Sequence, residues 1–207
     1  MAKLIDLFPI PFMISRGQVK PGLVERLRER TLASHVQSNA RTGLLSHTEM
    51  VDPQSEPLFL EVVDAVMPEI DAFGEHLLGD TFNWTVKEIW TNVLEPGGSQ
   101  FMHTHANSFV SGIVYLSRPH PSTRTIFSRG AGGSDFVFKH DVAEGKAGKY
   151  NAERWMVPEV DPGDLVLYPS YLLHGVPPNE GGQRITVAFN AIPDSLDSLG
   201  YKIRFSP

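Results

Sequence analysis

The hydrophobic pattern divides the chain into a helical first part and a β-rich second part. Residues Pro21 to Thr31 open with a proline suited to a helix start, and their apolar residues fall on one helical face. Apolar residues keep helical spacing from Glu56 to Leu78, where we expect Pro68 to kink or split the helix and Gly79 to end it. The polar, turn-rich stretch from Gln37 to Gln54 predicts an exposed connection.

After Asp80, β-branched and aromatic residues come in short runs separated by Gly, Pro and Asn, which is typical of strands. The predicted strands are Trp84 to Val93, Phe109 to Leu116, Arg124 to Phe127, Phe136 to Phe138, Trp155 to Val160, Leu165 to Tyr168, Arg184 to Ile192 and Tyr201 to Phe205. This order favours a mainly β fold, a jelly roll with N-terminal helices packed on its outer face. We predict a single domain over residues 1–207, with a helical packing segment at 1–80 and the β core at 81–207.

Composition and charge exclude several classes of partner and site. The net charge is −6 and no run of Lys or Arg stands out, so we expect no nucleic-acid partner. The absence of cysteine excludes a disulfide scaffold, a thiolate metal site and a cysteine nucleophile. Met1 to Arg16 lacks the features of a signal peptide, and no stretch approaches the roughly 20 apolar residues that cross a bilayer. We expect a soluble, cytoplasmic protein with no membrane partner and a small-molecule or peptide substrate; a homodimer is compatible with the sequence.

Two histidines follow a glycine-rich turn at positions 103 and 105, separated by Thr104. In a strand, residues i and i+2 face the same side, so both imidazoles could share one metal ion. Neutral imidazole nitrogens suit Fe, Zn, Cu or Ni. The alternative is a pair of surface histidines near a turn.

A third histidine, His174, lies just beyond an apolar strand that begins after a Gly-Asp turn and ends at Pro169. In isolation it could equally be a core histidine that is hydrogen-bonded to the backbone. Taken with His103 and His105, however, it forms the facial three-ligand pattern that leaves metal coordination positions open for oxygen and substrate.

The strand from Arg184 to Asn190 alternates, so Arg184, Thr186, Ala188 and Asn190 share the face opposite its large apolar residues. A buried arginine needs a carboxylate partner, because an unpaired buried charge is costly. A guanidinium can hold a carboxylate through two parallel hydrogen bonds. The alternative is an edge strand with Arg184 in water.

Together, His103-Thr104-His105, His174 and Arg184-Ile185-Thr186 resemble the Fe(II)- and 2-oxoglutarate-dependent oxygenase superfamily. More narrowly, the stretches Ser111 to Leu116, Pro169 to Asn179 and Arg184 to Asn190 look like an uncharacterised, mostly microbial and phage branch of it. The resemblance covers approximately Trp90 to Ile192. It implies a double-stranded β-helix (a cupin-like jelly roll), Fe(II) as the metal, 2-oxoglutarate as cosubstrate, and a dioxygenase that oxidises a C–H bond as hydroxylases do.

The resemblance also implies residue roles. His103, His105 and His174 would be the metal-binding catalytic residues, with His105 in the position where the superfamily has Asp or Glu. That replacement removes one negative charge from the metal ligands. Arg184 would bind the distal carboxylate of 2-oxoglutarate, with contacts from the Thr186 hydroxyl and the Tyr115 phenol. A core aromatic role for Tyr115 is equally compatible with the sequence.

Three asparagines are weaker candidates. Asn92 and Asn190 could line the cleft, and Asn107 lies near the site if His105 points away.

Two other classes remain open. Gly97 before the His103-His105 pair, and Gly163 before Pro169, resemble the two cupin motifs, but the acidic ligand expected after the histidine pair is absent and Tyr171 stands where cupins have glycine. A cupin-like metal enzyme, a 2-oxoglutarate-independent dioxygenase or an isomerase, is therefore second. A non-catalytic jelly roll that binds a small molecule is third.

Overall fold

Two helices pack on one face of a large antiparallel sheet in the computed structural model, which describes residues 2–34, 37–38, 44–48, 50–129 and 148–205. Helix α1 is Pro21–Ala33 and helix α2 is Pro57–Leu78. As predicted, Gly79 ends α2, in the left-handed conformation (φ 76°) that glycine adopts without a steric penalty. Pro68 does not split α2, and the apolar side chains on both sides of it are buried in the same core.

The rest of the described chain contains thirteen strands, joined by turns and loops. In order they are β1 (Met13–Ser15), β2 (Gln37–Ser38), β3 (Leu45–His47), β4 (Trp84–Leu94), β5 (Gln100–His103), β6 (Val110–Tyr115), β7 (Ile126–Ser128), β8 (Arg154–Met156), β9 (Leu165–Pro169), β10 (His174–Val176), β11 (Arg184–Pro193), β12 (Ser195–Ser198) and β13 (Tyr201–Arg204).

These strands form two facing sheets and a hairpin. The large sheet has the order β1-β9-β6-β11-β4-β3-β2, the small sheet has the order β5-β10-β7-β8, and β12 pairs with β13. One apolar core fills the space between the helices and the large sheet, and a second, containing Tyr115, Phe127 and Tyr168, lies on the other face of the large sheet. The predicted jelly-roll fold class is confirmed.

Strand β11 shows how the sheet divides its side chains. It lies in the interior of the large sheet, between β6 and β4. Ile185, Val187 and Phe189 point into the helix-side core, and Arg184 and Thr186 line a cavity on the opposite face, as the alternation predicts.

Several short strands depart from the sequence expectations. The stretch predicted as an exposed connection contains β3, which pairs with β4 and buries Leu45, because Leu45 fits against Leu94 and Val176. Strand β1 pairs with β9, so the first 80 residues contribute strands as well as helices to the fold. The strand predicted to carry His103 and His105 is present as β5, although it ends at His103, whereas β10 was not predicted. The strand predicted at Phe136 to Phe138 lies outside the described residues.

Neither helix in the described part of the chain is long and apolar enough to span a bilayer.

Candidate active site

Two of the three histidines face each other across neighbouring strands of the small sheet. His103 ends β5 and pairs in register with His174, which begins β10, and their ring centres are 4.3 Å apart. His105 lies beyond the end of β5 rather than within it as predicted, because its main-chain N–H donates to the carbonyl oxygen of Ser170. Its ring centre is nevertheless 5.1 Å from each of the other two. One ligand atom from each histidine lies within 4.8 Å of the others, so the three can hold one metal ion.

Main-chain carbonyls fix the orientation of two of these rings. Nδ1–H of His103 donates to the carbonyl oxygen of Phe101, and Nδ1–H of His174 donates to that of Leu172, each at 2.8 Å. Because a neutral imidazole carries one proton, both rings present the Nε2 lone pair. Partners of this kind are the usual support of metal-binding histidines.

Burial keeps two of the histidines neutral. It lowers the pKa of His174 to about 3, and the neighbouring His103 adds to the effect. Burial and His103 likewise lower the pKa of His105 to about 4, although the Glu88 carboxylate opposes them. Metal binding requires neutral imidazole, so near neutral pH neither His105 nor His174 must lose a proton first.

Arg184 is the second chemical feature of the site. It is 4% exposed on an interior strand, which excludes the edge-strand alternative. Nη2–H donates to Oγ1 of Thr125 at 3.2 Å, and the guanidinium carbon lies 5.3 Å from the Tyr115 ring centre. Within the described chain, Nε of Arg184 is buried without a hydrogen-bond partner and no carboxylate forms an ion pair with this guanidinium. A buried cation with an unused donor fits an anionic ligand.

The two residues predicted to assist Arg184 differ in position. Thr186 is 1% exposed and lines the cavity beside Arg184. Tyr115 is fully buried, with its hydroxyl 3.4 Å from Oγ1 of Thr125, and it supports the guanidinium from behind without lining the cavity. Contact between Tyr115 and a bound carboxylate therefore stays a prediction.

A single cavity joins the histidines to the arginine. Its walls are Trp90, Asn92, Gln100, His103, His105, Ile113, Thr125, Tyr168, His174, Val176, Arg184, Thr186 and Ala188. Asn92 therefore lines the cleft, as anticipated. Asn107 does not, because it is exposed in a turn with φ 55°.

Sequence reasoning missed Tyr168 and Thr125. The Tyr168 hydroxyl lies 3.0 Å from Nε2 of His174 and donates to it, and burial raises the pKa of this phenol. The sequence could have predicted that Tyr168 faces away from the helix-side core, because alternation in β9 places Val166 and Tyr168 opposite Leu165 and Leu167. Thr125 reaches the site through the long-range pairing of β7, for which the sequence carries no local signal.

The sequence model of the protein family described as "Putative 2OG-Fe(II) oxygenase" matches residues 88–190, a span that includes all the predicted site residues. The chain belongs to the 2OG-Fe(II) oxygenase superfamily. This assignment confirms the predicted enzyme class and its use of iron and 2-oxoglutarate, and it favours the oxygenase over the cupin-like and non-catalytic alternatives. The comparison of this chain with curated proteins finds no match.

Solved structures share the fold of this oxygenase. HygX from Streptomyces hygroscopicus, solved with nickel and 2-oxoglutarate bound, is 16% identical with a TM-score of 0.66; the match covers 89% of this chain and 83% of HygX. SnoN, a non-heme α-ketoglutarate-dependent epimerase from nogalamycin biosynthesis, is 15% identical (TM-score 0.63, 90% and 77% covered). A Pseudomonas putida prolyl-4-hydroxylase is 17% identical (TM-score 0.57, 87% and 92% covered).

Proposed function

We propose that the cavity between the sheets is the active site of a hydroxylase-type oxygenase, in which His103, His105 and His174 bind Fe(II). The observation that carries this proposal is the shared cavity, which has three imidazole ligands at one position and, at another, a buried guanidinium with no carboxylate partner in the described chain. Imidazole nitrogens suit iron, and the three ligands leave coordination positions for other groups.

Arg184 would bind the distal carboxylate of 2-oxoglutarate, with Thr186 donating a hydroxyl hydrogen bond and Tyr115 holding the guanidinium in place. The unused Nε donor and the nearby Nη2 offer the two parallel bonds of an arginine–carboxylate pair. HygX, which shares the fold, was solved with nickel and 2-oxoglutarate together, and this supports the pairing of the two groups in one cavity.

When bound, iron and 2-oxoglutarate supply the oxidation: oxygen converts 2-oxoglutarate to succinate and carbon dioxide while a C–H bond of the substrate becomes C–OH. The chain's own residues contribute orientation and the exclusion of water. His103 and His174 are oriented by main-chain carbonyls, and the apolar walls Ile113, Val176 and Ala188 limit water around the charged groups.

The test begins with the purified protein, Fe(II) and 2-oxoglutarate in the absence of oxygen. We expect a new visible absorption band when 2-oxoglutarate is added to the iron-loaded protein. After oxygen is admitted, succinate should form in proportion to oxygen consumed. His174→Ala should abolish both, whereas His76→Ala, which removes an exposed histidine of α2, should change neither.

Two results would overturn this proposal. Stoichiometric metal without any response to 2-oxoglutarate would indicate a cupin-like enzyme. No metal uptake, with no difference between the wild type and His174→Ala, would indicate a non-catalytic binding protein.

The remaining expectations concern location and partners. The substrate class proposed is a small molecule or a peptide, and a cytoplasmic location and a homodimer are proposed with it. The acidic net charge supports the further expectation that nucleic acid is not a partner.

A further inference from the structure

An exposed apolar segment comes before β1. Residues 3–10, called the arm below, form no helix or strand, and their main-chain groups pair with no other main-chain group of the described chain. Single exposed apolar residues are normal in proteins, but a contiguous group usually marks an interaction surface. The arm carries five large apolar side chains that are 50% to 93% exposed, namely Leu4, Ile5, Leu7, Phe8 and Ile10.

The backbone of Phe8 is strained without support from its own side chain. Phe8 has φ 55° and precedes Pro9, and a bulky residue rarely adopts the left-handed region, least of all before proline. Strain of this kind persists where surrounding contacts hold it in place. The Phe8 ring is 93% exposed, so it has little packing within the described chain. One copy of the protein therefore supports the arm poorly.

The apolar surface of the arm continues onto β8. The arm lies beside this part of the chain, because the Asp6 carboxylate pairs with the Lys149 ammonium at 2.8 Å. Phe12, two residues beyond the arm, packs edge-on against Trp155 with ring centres 4.7 Å apart. Trp155 and Met156 of β8 are themselves 45% and 46% exposed. Strand β8 is an edge of the small sheet, and in the described chain no strand pairs with its outer side. An edge strand with exposed apolar side chains is a template for pairing with another chain.

A second copy of this chain fits the surface formed by the arm and β8. One copy presents both halves of a pairing, an arm with unpaired main chain and a strand edge without a neighbour, so two copies related by a twofold axis can exchange them. The exposed apolar side chains of the arm and β8 together offer on the order of 800 Å² per copy, which is the area that each partner buries in a standard interface. A lipid surface fits less well, because the net charge is −6 and the arm carries one lysine and one aspartate rather than a basic face.

We propose that the protein forms a symmetric dimer in which the arm of each copy packs along β8 of the other. Residues 3–8 contain no proline, so they can add to the free edge of β8 as a strand. The apolar side chains of the arm then leave water, and this burial drives the association. The inference is independent of the metal site, so either it or the proposed function can fail while the other holds.

The first experiment measures self-association of the full chain by analytical ultracentrifugation over a range of protein concentrations. The wild type should be a dimer. Leu7→Asp places a charge in the interface once per copy, and because each should cost about tenfold or more, the dissociation constant should rise at least about 100-fold. Leu199→Asp is the matched control, because Leu199 is 98% exposed between β12 and β13, and it should dimerise like the wild type. Both residues are exposed in the single chain, so neither variant should lose stability.

The second experiment tests which surfaces meet, and it uses the absence of cysteine from the chain. Two single-cysteine variants are prepared separately, mixed to exchange subunits and mildly oxidised, so a disulfide between them must join two copies. The first is Met156→Cys, and the second is one of three arm variants, Leu4→Cys, Ile5→Cys or Leu7→Cys. At least one of these pairs should cross-link, whereas Leu199→Cys mixed with Met156→Cys should not.

Three kinds of result would overturn this inference. A wild type that stays monomeric at roughly 100 μM lacks the interface. A dimer that Leu7→Asp leaves intact, or in which no arm variant cross-links with Met156→Cys, uses other surfaces. Binding of a monomeric wild type to phosphatidylglycerol vesicles, lost in Leu7→Asp, would assign the arm to a lipid surface instead.

Discussion

Replacing Arg184 with methionine should stabilise the ligand-free protein while destroying its affinity for 2-oxoglutarate. The guanidinium is buried, its Nε has no hydrogen-bond partner in the described structure, and its one hydrogen bond there goes to Thr125. Removing an uncompensated buried charge stabilises by about 2 kcal/mol. Losing the contact with the Tyr115 ring costs about 1 kcal/mol. The net gain is about 1 kcal/mol, which raises the melting temperature by roughly 3 °C for a domain of this size.

The same change has the opposite effect when 2-oxoglutarate is present. Two charge-assisted hydrogen bonds between guanidinium and carboxylate contribute about 3 kcal/mol together, so Arg184→Met should weaken 2-oxoglutarate binding roughly 100-fold. With metal and 2-oxoglutarate at about 100 times the wild-type dissociation constant, the ligand stabilises the wild type by about 2.7 kcal/mol and leaves the variant almost unchanged. The order of the two melting temperatures should therefore reverse.

Thermal unfolding with and without metal and 2-oxoglutarate provides the assay, and calorimetry provides the dissociation constants. Arg204→Met is the matched control, because Arg204 is exposed on the β12–β13 hairpin, and it should show neither effect. A ligand-free Arg184→Met protein that melts below the wild type, or one that binds 2-oxoglutarate with wild-type affinity, would refute the reasoning.

Three further predictions concern residues around the site and in the fold that supports it. Tyr168→Phe removes the hydroxyl that occupies Nε2 of His174, so metal affinity should rise about fivefold in a metal titration; weaker binding would contradict this. Gly112→Ala places a Cβ 2.1 Å from the Phe189 ring, so denaturant unfolding should show a loss of about 3 kcal/mol, and a wild-type midpoint would exclude the clash. The pKa of Asp164 is lowered, because hydrogen bonds from two main-chain N–H groups and an arginine together outweigh burial, which alone would raise it. Asp164→Asn should therefore cost about 2 kcal/mol near pH 7, and the difference should shrink as pH falls below the ordinary value of 3.8 through the lowered folded pKa; a constant difference would refute this assignment.

Strand β11 explains why part of the site was predictable. Its side chains alternate between a helix-side core and the cavity, and period-two alternation is a local property of the sequence. Arg184 and Thr186 could thus be placed on one face of the strand from the sequence, although an edge strand with Arg184 in water remained open.

Metal-ligand chemistry and the family resemblance could group His103 with His174, but the pairing of their strands could not be predicted. Strands β5 and β10 are too short to show a periodic pattern, and their pairing joins residues far apart in the chain. The contact between Glu88 and Asn190 beside His105 could not be predicted either, because it depends on the register between β4 and β11.

The cavity is shared between two sheets, and this affects how the protein unfolds. His103 and His174 belong to the small sheet, and Arg184 and Thr186 belong to the large one. A ligand that spans the cavity joins the sheets at a point where no backbone pairing links these strands. The ligand must then dissociate before the sheets can separate. A bound ligand should therefore slow unfolding, and it should slow amide hydrogen exchange in β5 and β10 far more than in helix α1.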